Sequence, residues 1–115
     1  MNVGADAIVV SNHGGRQLVG EMSSSTALPA IVAAIGDRAE VWMDGGIRSG
    51  QDVLRAIALG AKGTMIGRAF LYGLGAKGQA GVRQTLAIIH KELDLTLCLC
   101  GQSDLAKVDS SILLK

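Results

Sequence analysis

The residues best equipped for chemistry lie in three short polar stretches, each at the end of an apolar run. "SNHGGRQL" (11–18) follows "AIVV" and sets His13 and Arg16 three residues apart, with two glycines between them. An imidazole that titrates near neutral pH can take a proton from a reacting group. A guanidinium can hold a carboxylate through two parallel N–H···O bonds. By themselves, a histidine and an arginine in a turn are more often structural or solvated than catalytic, so the stretch alone leaves the catalytic reading open without favouring it. "DGGIRSG" (44–50) and "GRAF" (67–70) close the other two runs. Gly45, Gly46 and Gly67 would let backbone N–H groups approach an anion unobstructed, and Arg48 and Arg68 would add charge-assisted bonds. A short helix opening after Arg68 would direct its N-terminus at the same anion. The alternative is simple turns with solvated arginines, but two Gly-Arg clusters after successive apolar runs favour a phosphate. His90, midway through an amphipathic stretch, reads as a surface residue.

These stretches need a scaffold that brings them together. The runs "AIVV" (7–10), "EVWMD" (40–44) and "GTMIG" (63–67) are continuous, as in parallel strands covered on both faces. Helices are expected between and after them. One spans Leu28 to Ile35, with Pro29 in its first turn and Gly36 as its stop. Another spans Gln51 to Leu59, capped by Ser49 and stopped at Gly60, with Val53, Leu54, Ile57 and Ala58 at helical spacing. A third spans Gln79 to Asp94 on a stripe of Val82, Leu86, Ile89 and Leu93, and a last short helix begins at Ser103. Two successive βαβ crossovers predict an α/β fold with a parallel sheet, whose functional residues gather at the C-terminal strand ends. "VGADAIVV" (3–10) and "LGAKGTMI" (59–66) echo one another as recurring helix-to-strand turns. Helices would cover one face of three strands and leave the other bare. A closed barrel would cover it, but needs eight strands, so the sequence reads as part of a larger fold.

The bulk composition narrows the function classes. The 115 residues suit a single domain, and 49% hydrophobic with 18% charged residues predicts a globular chain. A net charge of +1 without a basic block, and 3% aromatics, argue against nucleic-acid binding. Cys98 and Cys100, read as alternate positions of an apolar strand, would face opposite ways and form no disulfide. Further ligands for a metal are not at hand, so buried reduced thiols in an intracellular compartment are expected. The chain carries neither a 20-residue apolar span nor a signal-peptide pattern. Its 16 glycines, against the single Pro29, cluster at the ends of the apolar runs.

Taken in order, "SNHGGRQL", "DGGIRSGQDVLRAIALGAKGTMIGR" and "ELDLTLCLCG" resemble the C-terminal third of the FMN-dependent α-hydroxy-acid dehydrogenase and oxidase family. Within it, the bacterial respiratory L-lactate dehydrogenases are the nearest in pattern. The second motif alone is shared with IMP dehydrogenases and type 2 isopentenyl diphosphate isomerases; "SNHGGR" separates them. The resemblance implies the last three βα units, strands 6–8, of a (β/α)8 TIM barrel, with residues 1–115 as part of that domain. It implies FMN as cofactor and oxidation of a small L-2-hydroxy acid, such as L-lactate, to the 2-oxo acid. His13 then matches the active-site base, Arg16 the carboxylate-binding arginine and Ser11 a flavin-contacting residue. Asp44, Gly45, Gly46, Ile47, Arg48, Gly67 and Arg68 match the segment that holds the ribityl chain and phosphate. The implied electron acceptor is a quinone, a cytochrome or oxygen, and the longer relatives are homo-oligomers. Their placement is cytoplasmic, or peripheral at the inner membrane in the full-length form. Two departures stand out. Val19 replaces the aspartate that usually follows "RQL", and the family's upstream lysine, tyrosines and five strands have no counterpart. The chain is therefore expected to be inactive in isolation. A phosphate- or FMN-binding remnant without chemistry, or part of another phosphate-binding barrel, is the alternative.

Overall fold

The structure is a computed structural model that describes residues 4–114. Val3, the first residue of the glycine-alanine echo, and Lys115 lie outside the described residues. Three strands, β1 (Ala7–Val10), β2 (Glu40–Met43) and β3 (Gly63–Thr64), form one parallel sheet in the order β1-β2-β3. Three helices follow them in turn: α1 (Ser24–Ile35), α2 (Gly50–Ala58) and α3 (Arg68–Leu99). The register pairs Val10 with Met43 and Met43 with Thr64, so the three C-terminal strand ends lie side by side.

Alternation along the strands sorts their side chains. Val10, Val41 and Met43 point to the helices and form the core with Leu28, Ile35, Ile47, Ala56 and Ala61. Val9, on the opposite face, remains 47% exposed. The helices thus cover one side of the sheet and leave the other open, as expected for three strands by themselves, and the arrangement is consistent with part of a barrel. Among the described residues no helix is long and apolar enough to cross a membrane.

Several boundaries differ from expectation. β2 ends at Met43 and β3 at Thr64, although the ladder continues through Asp44 N–H to Val10 O (3.0 Å) and Met65 N–H to Met43 O (2.9 Å). α1 begins at Ser24 because the Ser23 hydroxyl accepts from the Thr26 amide and caps it. Pro29 therefore sits in the second turn, not the first, and its missing N–H leaves the Ser25 carbonyl without a helical donor. α3 is longer than the Gln79–Asp94 segment and is broken at Lys77 and Gly78, which leave helical φ/ψ. Its two parts meet backbone to backbone, since a Cβ on Gly73 would fall 2.5 Å from the Gly81 carbonyl oxygen.

The apolar run before residue 100 continues α3 and is not a strand. Cys98 lies in its last turn and Cys100 at its C-cap, and both thiols are exposed, not buried. The Leu86 side of the expected stripe is 52% exposed, whereas Ile89 is buried. His90 is exposed, as expected. In place of a last helix from Ser103 stand two 3₁₀ turns, Leu105–Lys107 and Ser110–Ile112, capped by the Asp104 and Asp109 carboxylates. The Ser111 hydroxyl and amide hold the Asp109 carboxyl below its usual value of 3.8.

Candidate functional site

The three polar stretches converge on one cavity of about 350 Å³ at the C-terminal ends of the strands. Ser11, His13 and Arg16 reach it from the loop after β1. Asp44, Gly45, Gly46, Ile47 and Arg48 reach it from the loop after β2, and Gly67 and Arg68 from the start of α3. Every candidate residue is thus brought to a single place. Gln17, Met65, Ile66 and Ala69 also line it, and the sequence did not single them out. Ile66 and Met65 read there as plain strand residues, so only the loop geometry exposes their role as lining.

The first loop has an unusual backbone. His13 has φ 54° and is the one non-glycine residue with positive φ among the described residues; Gly14 (71°) and Gly15 (72°) follow it. A side-chain-bearing residue there costs about 1–2 kcal/mol and persists only where its surroundings fix it. Here Ser11 Oγ accepts from the His13 amide (3.1 Å) and Asn12 Oδ1 from the Gly14 amide (3.1 Å). The Gly15 amide donates to the Asn12 carbonyl at 2.9 Å. From across the cavity, Arg68 Nη2 donates to the Gly14 carbonyl at 3.1 Å.

The second loop turns at Gly45 (φ 92°) and Gly46 (φ 81°). At Gly45 a Cβ would meet Ser24 Oγ at 2.8 Å and Asn12 Oδ1 at 2.9 Å, so the loop presses against both neighbouring elements. Its far end is fixed by Asp52. One oxygen of that carboxylate accepts from the Arg48 amide (3.1 Å), the Ser49 amide (3.1 Å) and the Ser49 hydroxyl (3.0 Å). Ser49 Oγ in turn accepts from the Asp52 amide, completing a capping box. Glu92 of α3 adds a second carboxylate, accepting from the Gly50 amide at 2.9 Å.

These contacts distinguish the two helix N-termini beside the site. That of α2 is already served by Asp52 and Glu92. That of α3 has no side-chain cap and no acidic residue in its first turn, and its first residues line the cavity. The positive end of α3 is therefore the one available to an anion. On the cavity wall, Asp44 Oδ1 is buried without a hydrogen-bond partner, an acceptor suited to a ligand hydroxyl. Ser24 Oγ, beneath Gly45, is likewise unpartnered. Among the described residues no group of three or more His, Cys, Asp or Glu side chains gathers as a metal site.

Comparison with known proteins places this geometry. The FMN-dependent dehydrogenase family matches residues 1–115. An L-lactate dehydrogenase of Caulobacter vibrioides (strain NA1000 / CB15N) is 55% identical over 112 residues, covering 97% of this chain and 29% of that protein. An L-lactate oxidase of Nostoc sp. (strain PCC 7120) is 53% identical over 110 residues, covering 96% of this chain and 30% of its own length. Among solved structures, a soluble mutant of the membrane-associated (S)-mandelate dehydrogenase from Pseudomonas putida superposes with a TM-score of 0.90 at 39% identity. That match covers 95% of this chain and 31% of the other. The chain thus spans about three-tenths of the length of the curated relatives it matches. With its glycine-arginine cavity at the strand ends and a family match across all 115 residues, the chain belongs to the FMN-dependent dehydrogenase family.

Proposed function

We propose that this chain supplies the phosphate-binding and proton-accepting part of an FMN-dependent oxidoreductase that converts a small L-2-hydroxy acid, with L-lactate the foremost candidate, to the 2-oxo acid. Its three βα units are read as strands 6–8 of an eight-stranded barrel. The observation that carries this reading is the meeting of His13 and Arg16 with both glycine-arginine loops in one cavity.

The residues present fit the cofactor. The unpartnered Asp44 Oδ1 suits a ribityl hydroxyl. A Cβ on Gly46 or on Gly67 would meet nothing within 4 Å, which leaves their backbone open to a phosphate. Arg48, Arg68 and the uncapped start of α3 supply its countercharge. Ser11, directly after β1, lines the same cavity and would contact the flavin. FMN, when bound, accepts the two electrons removed from the substrate. The guanidinium of Arg16 holds the substrate carboxylate by a two-bond fork and so fixes which face meets His13. The His13 imidazole takes a proton from the substrate as the hydroxyl carbon becomes a carbonyl. The L-lactate oxidase among the relatives makes oxygen one acceptor to test beside quinones and cytochromes.

For the 115-residue chain by itself we expect anion binding without turnover. The sheet face bearing Val9 is open, and enclosing a flavin ring requires walls that these strands do not provide. The test is L-lactate-dependent dye reduction with added FMN, for the chain alone and mixed with the N-terminal two-thirds of the Caulobacter relative. Flavin binding without turnover alone, turnover in the mixture, and loss of that turnover in His13→Gln would support the reading. Turnover that survives His13→Gln, or flavin binding in neither sample, would overturn it.

A further inference from the structure

We infer that Arg68 is a positioning residue for the His13 loop, and that anion binding at the Arg68 end of the cavity tightens that loop. This rests on the phosphate-site reading above. The loop from Asn12 to Gly15 holds three successive residues at positive φ, a conformation that suits Gly14 and Gly15 but is disfavoured for His13. Three of its restraints are local, from Ser11 Oγ, Asn12 Oδ1 and the Asn12 carbonyl. The long-range tie is Arg68 Nη2 to the Gly14 carbonyl, which joins residues 54 apart in sequence. The approach is close, since a Cβ on Gly14 would lie 3.4 Å from the same nitrogen.

A guanidinium carries five N–H donors in a rigid plane. One nitrogen of Arg68 bonds Gly14 and the residue lines the cavity, so its other donors are left for an anion there. An oxyanion held by those donors would restrict the side chain to the rotamer that also reaches Gly14. Anion binding and loop order then reinforce one another, and linkage makes the effect equal in both directions. Lysine cannot reproduce this, because its donors radiate from a single nitrogen at the end of a flexible stem. Arg48 is no substitute either, since its loop is tied to Asp52 and not to Gly14.

The test is amide hydrogen exchange of residues 12–17 by NMR on the 115-residue chain, with and without inorganic phosphate, alongside Arg68→Lys and Arg68→Met. Without phosphate, both variants should exchange about threefold to tenfold faster at Gly14 and Gly15 than the parent, the scale of one lost hydrogen bond. Phosphate should slow exchange there in the parent and leave it unchanged in Arg68→Lys, even where shifts at Gly46 report that phosphate still binds. Equal exchange in parent and variants without phosphate would overturn the inference. So would phosphate shifts at Gly46 in the parent with no response at Gly14 and Gly15. Absence of any phosphate shift would instead count against the phosphate site, while the variants still decide the tie between Arg68 and Gly14.

Discussion

Replacing Asp52 by alanine isolates the contact on which the second loop depends. One Asp52 oxygen accepts from Arg48 N–H, Ser49 N–H and Ser49 Oγ, all between 3.0 and 3.1 Å. The other lies 3.4 Å from Arg55 Nη1, whose side chain is 64% exposed. The exposed pair contributes little, about 0.2–0.5 kcal/mol. Losing a capping side chain costs about 0.5–2 kcal/mol, and losing a negative charge at the helix N-terminus about 0.3–1 kcal/mol. Asp52→Ala should therefore destabilise the chain by about 2 kcal/mol, or on the order of 10 °C in Tm for a domain of this size. Arg55→Ala should cost less than about 0.5 kcal/mol, and Asp52→Asn, which keeps an acceptor but no charge, should fall between them. Freed from its anchor, Arg48 should also bind inorganic phosphate about tenfold more weakly. Urea unfolding of the three variants, with phosphate titrations on each, measures both effects. Equal destabilisation by Asp52→Ala and Arg55→Ala would refute the reasoning, because it would mean that the backbone contacts carry no weight.

Three other substitutions probe different layers. Leu28→Ala removes a fully buried side chain at the centre of the core and should cost about 2–5 kcal/mol, read from the shift in urea midpoint. Gly45→Ala places a methyl group 2.8 Å from Ser24 Oγ at φ 92°, and should both destabilise the chain and weaken phosphate binding in calorimetry. Val19→Asp restores the acidic residue usual after "RQL". Because Val19 is 91% exposed, thermal unfolding should move by no more than about 0.5 kcal/mol in stability.

The clustering at the strand ends was legible in the sequence because each polar stretch follows a continuous apolar run, and parallel strands deliver such ends to one rim. That placed His13, Arg16 and both glycine-arginine loops correctly in one cavity. What supports the site was not legible. Glu92 caps α2 across 42 residues of sequence, and Arg68 reaches Gly14 across 54, and neither distance leaves a local pattern. α1 starts ahead of the expected Leu28 because the Ser23 hydroxyl caps it, and its first turn, before the apolar run, carries no apolar pattern. "LTLCLC" has the residue types of a buried strand, but it continues the part of α3 that follows the break at Gly78, and helical continuity outweighed local β-propensity there. Leu86 kept the spacing of an apolar stripe yet stays exposed, since periodicity does not say which neighbours are present to cover it.

The most direct measurement compares FMN with riboflavin, which has the same ring and ribityl chain but no phosphate. Fluorescence titration of each against the 115-residue chain isolates the contribution of Arg48, Arg68 and the start of α3. FMN should bind at least about tenfold more tightly, the worth of one or two charge-assisted bonds at an open site, and Arg48→Met should remove most of that preference. Equal affinity for the two flavins, or a preference that Arg48→Met leaves intact, would contradict the assignment of these loops as the phosphate site.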